Sequence, residues 1–194
     1  MAFVTAFQQE AQGAHLRDEA LLLLDKHGKI LEIAREVSSL MRTAGIPGVV
    51  IGGIAVVLHG HIRTTKDVDV FSPPPLKPLA DLLTAHGFVF DQAERAFRKH
   101  GVPVHLVLPE HVGAPLHEAI EIEGISTVPL ADLIGMKLRS GSTNLLRAQD
   151  LADVIGLIRV HKLDRSFARR LDKALRPAFR QLVRMIYKED ARSS

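Results

Sequence analysis

Apolar positions recur at helical spacing from His15 to Leu24 and again from Ile30 to Met41, where Ile30, Ile33, Ala34, Val37, Leu40 and Met41 share one stripe. Gly28 separates the two segments, and the second stops before Gly45-Ile46-Pro47. Val49-Val50-Ile51 then reads as a short buried strand running into Gly52-Gly53 and a helix over Ile54–His59. Lys66 to Phe71 alternates polar and apolar with period two, the pattern of a half-buried strand. Ser72 and three successive prolines end it, because proline cannot donate to a sheet ladder.

Further on, a helix over Pro78–His86 closes at Gly87, and Phe88-Val89-Phe90 forms a short strand. Val102, Val104, Leu106 and Leu108 alternate against Pro103, His105 and Val107, which predicts a strand with His105 on the second face. One more strand is expected over Ala119–Ile125. From Pro129 the pattern becomes helical: Leu130–Leu138, Leu145–Val160, Ser166–Leu175, and a last helix from Pro177 with Phe179, Leu182, Val183, Ile186 and Tyr187 on one stripe. The expected fold class is therefore α+β: a small mixed β-sheet with flanking helices, followed by a C-terminal helical part. The expected division is a tail over 1–12, an α/β core with N-terminal helices over 13–128 and a helical part with a basic end over 129–194. The Phe179–Tyr187 stripe packs internally or across a dimer.

Composition narrows the chemistry. The 194 residues are 46% apolar and 24% charged, a globular rather than a disordered balance. With no cysteine, disulfides, zinc ribbons, iron–sulfur clusters and thiol nucleophiles are excluded, so any metal must sit on carboxylates or histidines. The longest mainly apolar run, Gly48 to Leu58, is well short of the roughly 20 residues that cross a bilayer, and the first residues lack the parts of a signal peptide. The expectation is a cytoplasmic protein with no membrane partner. Charge is uneven: residues 159–194 hold eleven Lys/Arg against four Asp/Glu, a local +7, which leaves −4 for residues 1–158 within the overall +3. Such an end either attracts polyanions or forms a solvated helical face.

The segment richest in chemistry is Gly52-Gly53 followed, after thirteen residues, by Asp67-Val68-Asp69-Val70. Residues i and i+2 of a strand share a face, so both carboxylates project side by side and repel unless a cation lies between them. Hard oxygen donors of this kind suit Mg²⁺ or Mn²⁺, held by one or two carboxylates together with substrate phosphates. Glycines at a strand-to-helix junction let a phosphate approach the backbone, and Arg63 and Lys66 add positive charge beside the acids. Taken singly, each part has a simpler reading as a tight turn, an exposed face or a capping pair. Their order and spacing together predict a site for a nucleoside triphosphate and its metal.

This ordered motif resembles the signature of the nucleotidyltransferase superfamily of polymerase-β-like fold, in which a hydrophobic residue and Gly-Gly precede Asp-hydrophobic-Asp by about nine to thirteen residues. Gly52, Gly53, Asp67 and Asp69 match it, with the spacer at the upper limit. Downstream the chain is most similar to small bacterial nucleotidyltransferase-like proteins related to the toxin component of abortive-infection systems, through Leu133-Ile134-Gly135-Met136-Lys137-Leu138 and Arg147-Ala148-Gln149-Asp150-Leu151-Ala152-Asp153. The likeness covers roughly residues 44–160. It implies that Asp67 and Asp69 hold the metal, that Lys137 contacts the triphosphate, and that Arg147 and Asp150 organise the helix beside the pocket. Read from the residues alone, Arg147 and Asp150 are an i, i+3 surface pair. The implied activity is transfer of a nucleoside monophosphate to a hydroxyl on RNA, a protein or a small molecule, in a toxin–antitoxin-like context with an operon partner.

The chain departs from the family at its third carboxylate, where the strand Val102–Leu108 offers only His105. Three accounts of His105 stand: a general base, since imidazole titrates near neutral pH; a ligand for a softer ion such as Mn²⁺; or the mark of a site that binds nucleotide without transferring it. Glu110 substitutes for the missing acid only if its loop folds back. The alternative function is thus a catalytically inactive nucleotidyltransferase-fold module for nucleotide, RNA or a protein partner. His59 and His61 form either a metal-binding i, i+2 pair or a polar loop lining, and Asp81, Glu94, Glu121 and Glu123 read as solvated. With no HExxH, Walker A lysine motif or GxGxxG, zincin, P-loop and Rossmann chemistry have no support.

Overall fold

The computed structural model describes residues 28–108, 112, 118–143 and 147–193. The expected tail over 1–12, the helix over 15–24 and Glu110 lie outside them. In chain order the elements are α1 (Lys29–Thr43), β1 (Val49–Ile51), α2 (Gly52–Leu58), β2 (Val68–Phe71), α3 (Lys77–Ala85), β3 (Val89–Asp91), β4 (Ala96–Lys99), β5 (Val102–Val107), β6 (Ile120–Ile122), β7 (Ile125–Thr127), α4 (Leu130–Thr143) and α5 (Ala148–Val160). Two short 3-10 turns (Arg165–Arg170 and Lys173–Leu175) lead into α6 (Arg176–Ser193). The fold class is the expected α+β.

The seven strands form one mixed sheet in the order β3-β4-β5-β2-β1-β7-β6. β2 runs antiparallel to β1 and parallel to β5, and β1 runs parallel to β7. Strand alternation divides the apolar residues between two cores, one on each face. Val50, Val68, Val70, Val102 and Val104 meet Ile30, Ile33, Ala34, Val37 and Met41 of α1 and Leu79 and Leu83 of α3. Val49 and Ile51 face the other way, toward Leu133, Ile134 and Leu138 of α4, Val154, Leu157 and Ile158 of α5 and Phe179, Val183 and Ile186 of α6. The C-terminal helices are therefore tied to the sheet by a shared core, in which burial of each large side chain is worth about 1.5–3 kcal/mol. The α6 stripe packs inward, except for Tyr187, which is 46% exposed.

Two local expectations are corrected, and one further strand joins the sheet. Ala96–Lys99 is a strand, paired on both sides. The single strand expected over 119–125 is a hairpin, turned by Glu123 and Gly124, both at positive φ. The segment from Ser166 to Leu175 winds into 3-10 turns capped by Asp164 and Asp172 rather than an α-helix.

Candidate functional site

The face of the sheet that carries Asp69 and His105 is the face α4 and α5 cover. Val68 and Val70 turn into the core with α1, so the intervening Asp69 must point toward the C-terminal helices. The same rule places His105 between Val104 and Leu106, and β2 and β5 pair in register with Asp69 opposite His105. Asp67 lies one residue before β2, and its Oδ2 is 3.9 Å from His105 Nε2. Between the sheet and the helices opens a cleft of about 420 Å³.

Gly52, Gly53, Arg63, Asp67, Asp69, His105, Lys137, Arg147 and Asp150 all line this cleft. Lys66 does not; it is exposed beside the site. The two glycines are required by what packs on them. Gly52 has φ +66°, and a Cβ there would fall 2.0 Å from Asp69 Oδ2; a Cβ on Gly53 would fall 2.4 Å from Arg63 Nη1 and 2.5 Å from Thr65 Oγ1. The glycine turn is thus the seat of one acid and of the Arg63–Thr65 segment.

Burial pushes the Asp69 carboxyl up to about 6, and the neighbouring Asp67 charge adds to the shift, against opposing pulls from His105, Lys137 and Arg147. Thr65 Oγ1 donates to Asp67 Oδ1 at 3.1 Å and orients it. Negative charge in this corner is therefore under-compensated, which is the condition that favours a bound cation.

On the opposite wall the cations are already engaged. Lys137 Nζ donates to Asp150 Oδ1 at 2.6 Å and lies 2.9 Å from Oδ2 of Asp153, a carboxylate with no exposed surface. Arg63 Nε is 3.2 Å from Asp153 Oδ1, which also accepts from Gln149 Nε2. Arg63 Nη1 is buried without a hydrogen-bond partner among the described residues. Arg147 is the most exposed charge of the set: its side chain is 61% exposed, 3.9 Å from Asp150, and donates to Ser140 Oγ at 3.3 Å.

Sequence reasoning passed over Thr65 and Asp153. Asp153 stood within the quoted Arg-x-x-Asp-Leu-x-Asp run, and the signal was its i+3 spacing from Asp150, which puts both acids on the helix face turned to Lys137. The histidine pair is structural. His59 Nε2 is 2.9 Å from Val128 O, burial lowers its pKa, and the His61 ring lies against Gly156. Glu121 and Glu123 pair with Arg42 and Arg35 of α1 at the surface. Among the described residues no three His, Asp or Glu side chains converge into a metal cage, and no helix is long and apolar enough to cross a membrane.

No family model and no curated protein matches the sequence. Solved structures do match. ANT(2")-Ia in complex with adenylyl-2"-tobramycin superposes with TM-score 0.54 over 77% of this chain and 96% of its own, at 14% identity. The solution structure of the antibiotic-resistance factor ANT(2")-Ia gives 0.51 over 85% and 96%, at 11% identity. An antigenic nucleotidyltransferase-like protein from Paracoccidioides brasiliensis gives 0.48 over 66% and 75%, at 15% identity. The architecture, with its mixed seven-stranded sheet and C-terminal helices, is a nucleotidyltransferase-like fold.

Proposed function

We propose that the cleft binds a nucleoside triphosphate with a divalent cation, Mg²⁺ or Mn²⁺, and transfers a nucleoside monophosphate to an acceptor hydroxyl. The observation that carries this reading is the placing of Asp67 and Asp69 together on one wall of a cleft whose opposite wall holds Lys137 and Arg147. The donor set fits the ion: two hard carboxylates, one of them pushed toward protonation chiefly by burial and then by its neighbour's charge, leave the remaining coordination to water and phosphate oxygens. When bound, the cation would neutralise phosphate charge as pyrophosphate leaves.

The chain's own residues supply the rest. Arg147, exposed at the mouth, binds phosphate, and beneath it Lys137, anchored by Asp150 and Asp153, keeps the third of its N–H donors for the ligand. The acceptor oxygen bonds to the α-phosphorus, the bond from that phosphorus to the pyrophosphate oxygen breaks, and the hydroxyl proton passes to His105 Nε2. Calorimetry with each of the four nucleoside triphosphates in Mg²⁺ or Mn²⁺ tests the site. Wild type should release heat that Asp67→Ala/Asp69→Ala abolishes; equal heats, or none in either protein, would overturn the reading.

A second reading, a nucleotide-binding module without transfer activity, draws on one observation: the group opposite Asp69 in the ladder is an imidazole and not a carboxylate. The resemblance to toxin components also motivates an operon partner, and co-purification with the product of an adjacent reading frame tests it.

A further inference from the structure

A second concave surface lies away from the cleft, between α6 and the turn at 164–166, with a volume of about 560 Å³. Arg165, Arg184, Lys188, Tyr187 and Val183 line it with Asp164 and Ser166. Arg180, Arg184 and Lys188 follow one another at intervals of four on α6, which sets successive charges about 6 Å apart along the helix. All three are exposed, and with Arg165 they make no ion pair among the described residues. The groove also holds one acid, Asp164, which accepts from the backbone N–H and the hydroxyl of Ser166, at 2.8 and 2.6 Å, and so stays ionised. Glu189 and Asp190 are turned to Arg159. Among the described residues the groove therefore sets three cations, Arg165, Arg184 and Lys188, against the single acid Asp164, with Arg180 one turn further along α6.

Tyr187 supplies a different kind of contact. The residue is 46% exposed and lines the groove with Arg184 and Lys188, and its hydroxyl donates to Leu163 O at 3.3 Å, which tethers the ring. A pinned aromatic face among unpaired cations is what a single strand recognises, because bases stack on the ring while phosphates meet the charges. A lipid surface would require the apolar side of α6 to be open, and Phe179, Val183 and Ile186 are buried in the core.

We propose that this groove binds single-stranded nucleic acid, with Arg165, Arg180, Arg184 and Lys188 on the phosphates and Tyr187 stacked on a base. The test is fluorescence anisotropy of the whole chain with labelled dodecauridylate and its deoxythymidylate counterpart, from about 50 to about 200 mM salt. Wild type should bind, with affinity falling as salt rises. Arg184→Gln/Lys188→Gln should flatten the log–log salt slope by roughly 1.4, about 0.7 for each phosphate no longer engaged on a single strand. Tyr187→Ala should weaken binding roughly 5- to 100-fold at unchanged slope. Asp67→Ala/Asp69→Ala should bind like wild type, so failure of the nucleotide cleft and failure of this surface are read separately. The ratio of the two oligonucleotides tells RNA from DNA. No binding at the lowest salt, variants equal to wild type, or equal affinity for polyglutamate or anionic vesicles would overturn the proposal.

Discussion

Asp69 stands directly opposite His105 in the parallel ladder of β2 and β5, so exchanging the imidazole for a carboxylate would set a third acid beside the first two on a rigid sheet. His105→Asp should raise divalent-ion affinity and speed labelled-nucleotide transfer by roughly tenfold or more if wild type is the silent module. Transfer by wild type as fast as by the variant would leave the enzyme reading and remove the silent one.

Asp69 also bears on stability. Its folded pKa of about 6 exceeds the ordinary 3.8, so the native state holds the proton more tightly than the unfolded chain. The associated stabilisation is full below about pH 4 and is lost as pH rises through about 6. In metal-free buffer Asp69→Asn should therefore be the more stable protein at about pH 8, by on the order of 1–3 kcal/mol, and indistinguishable near pH 4. Urea titrations at the two pH values check this, and equal stability at the higher one would refute it.

Two glycines of similar backbone geometry separate conformation from packing. Gly124 has φ +79° with nothing within 4 Å of where a Cβ would lie, whereas Gly52 at +66° faces Asp69 Oδ2. Gly124→Ala should cost about 1–2 kcal/mol from the left-handed backbone alone. Gly52→Ala should cost more, and should weaken Mn²⁺ binding because Asp69 is displaced; a variant that binds the ion like wild type would contradict the seat assigned to Gly52.

Asp153 has no exposed surface and faces both Arg63 and Lys137. Asp153→Ala leaves two cations facing a void and should cost roughly 3–5 kcal/mol. Asp153→Asn, which keeps an oxygen for Arg63 and Gln149, should cost less. Chemical denaturation of both variants decides it, and an alanine variant within about 1 kcal/mol of wild type would show that the pairing contributes little.

His59 titrates with the opposite sign. Burial and the nearby His161 depress its pKa below 6.5, while the contact with Val128 O partly offsets them. Its contribution to stability is present above about pH 6.5 and is lost as pH falls through the depressed folded value. His59→Gln should flatten the loss of stability between about pH 7 and 5; an unchanged pH profile would show that the ring is not held neutral.

Much of this arrangement was legible because side-chain period carries face information. Val49–Ile51 reads to the residue, since three β-branched residues between Pro47-Gly48 and Gly52 admit little else. Alternation in Val102–Val107 places His105 on the face away from Val104 from the sequence alone. The hairpin at Ile120–Thr127 is signalled by a change of phase, from Ile120 and Ile122 to Ile125 and Thr127, at Glu123-Gly124, which a single strand over Ala119–Ile125 overlooks. Ala96–Lys99 was hidden because the turn before it, Gln92–Arg95, holds neither glycine nor proline, although Gly101 marks the turn after it. In the site, the acids and glycines were found from spacing. Thr65 and Asp153 were not: Thr65 acts through a local bond to Asp67, two residues on, and the spacing of Asp153 from Asp150 does not show that Arg63 reaches it across ninety positions of chain.

That separation has a kinetic side. The ladder joining Asp69 to His105 and the bridge joining Arg63 to Asp153 close long loops, whose entropy must be met before either contact returns anything. During synthesis the two acids emerge well ahead of α5, so the cleft has no second wall until most of the chain is made. Any nucleotide or ion that prefers the finished cleft will meet only late folding species.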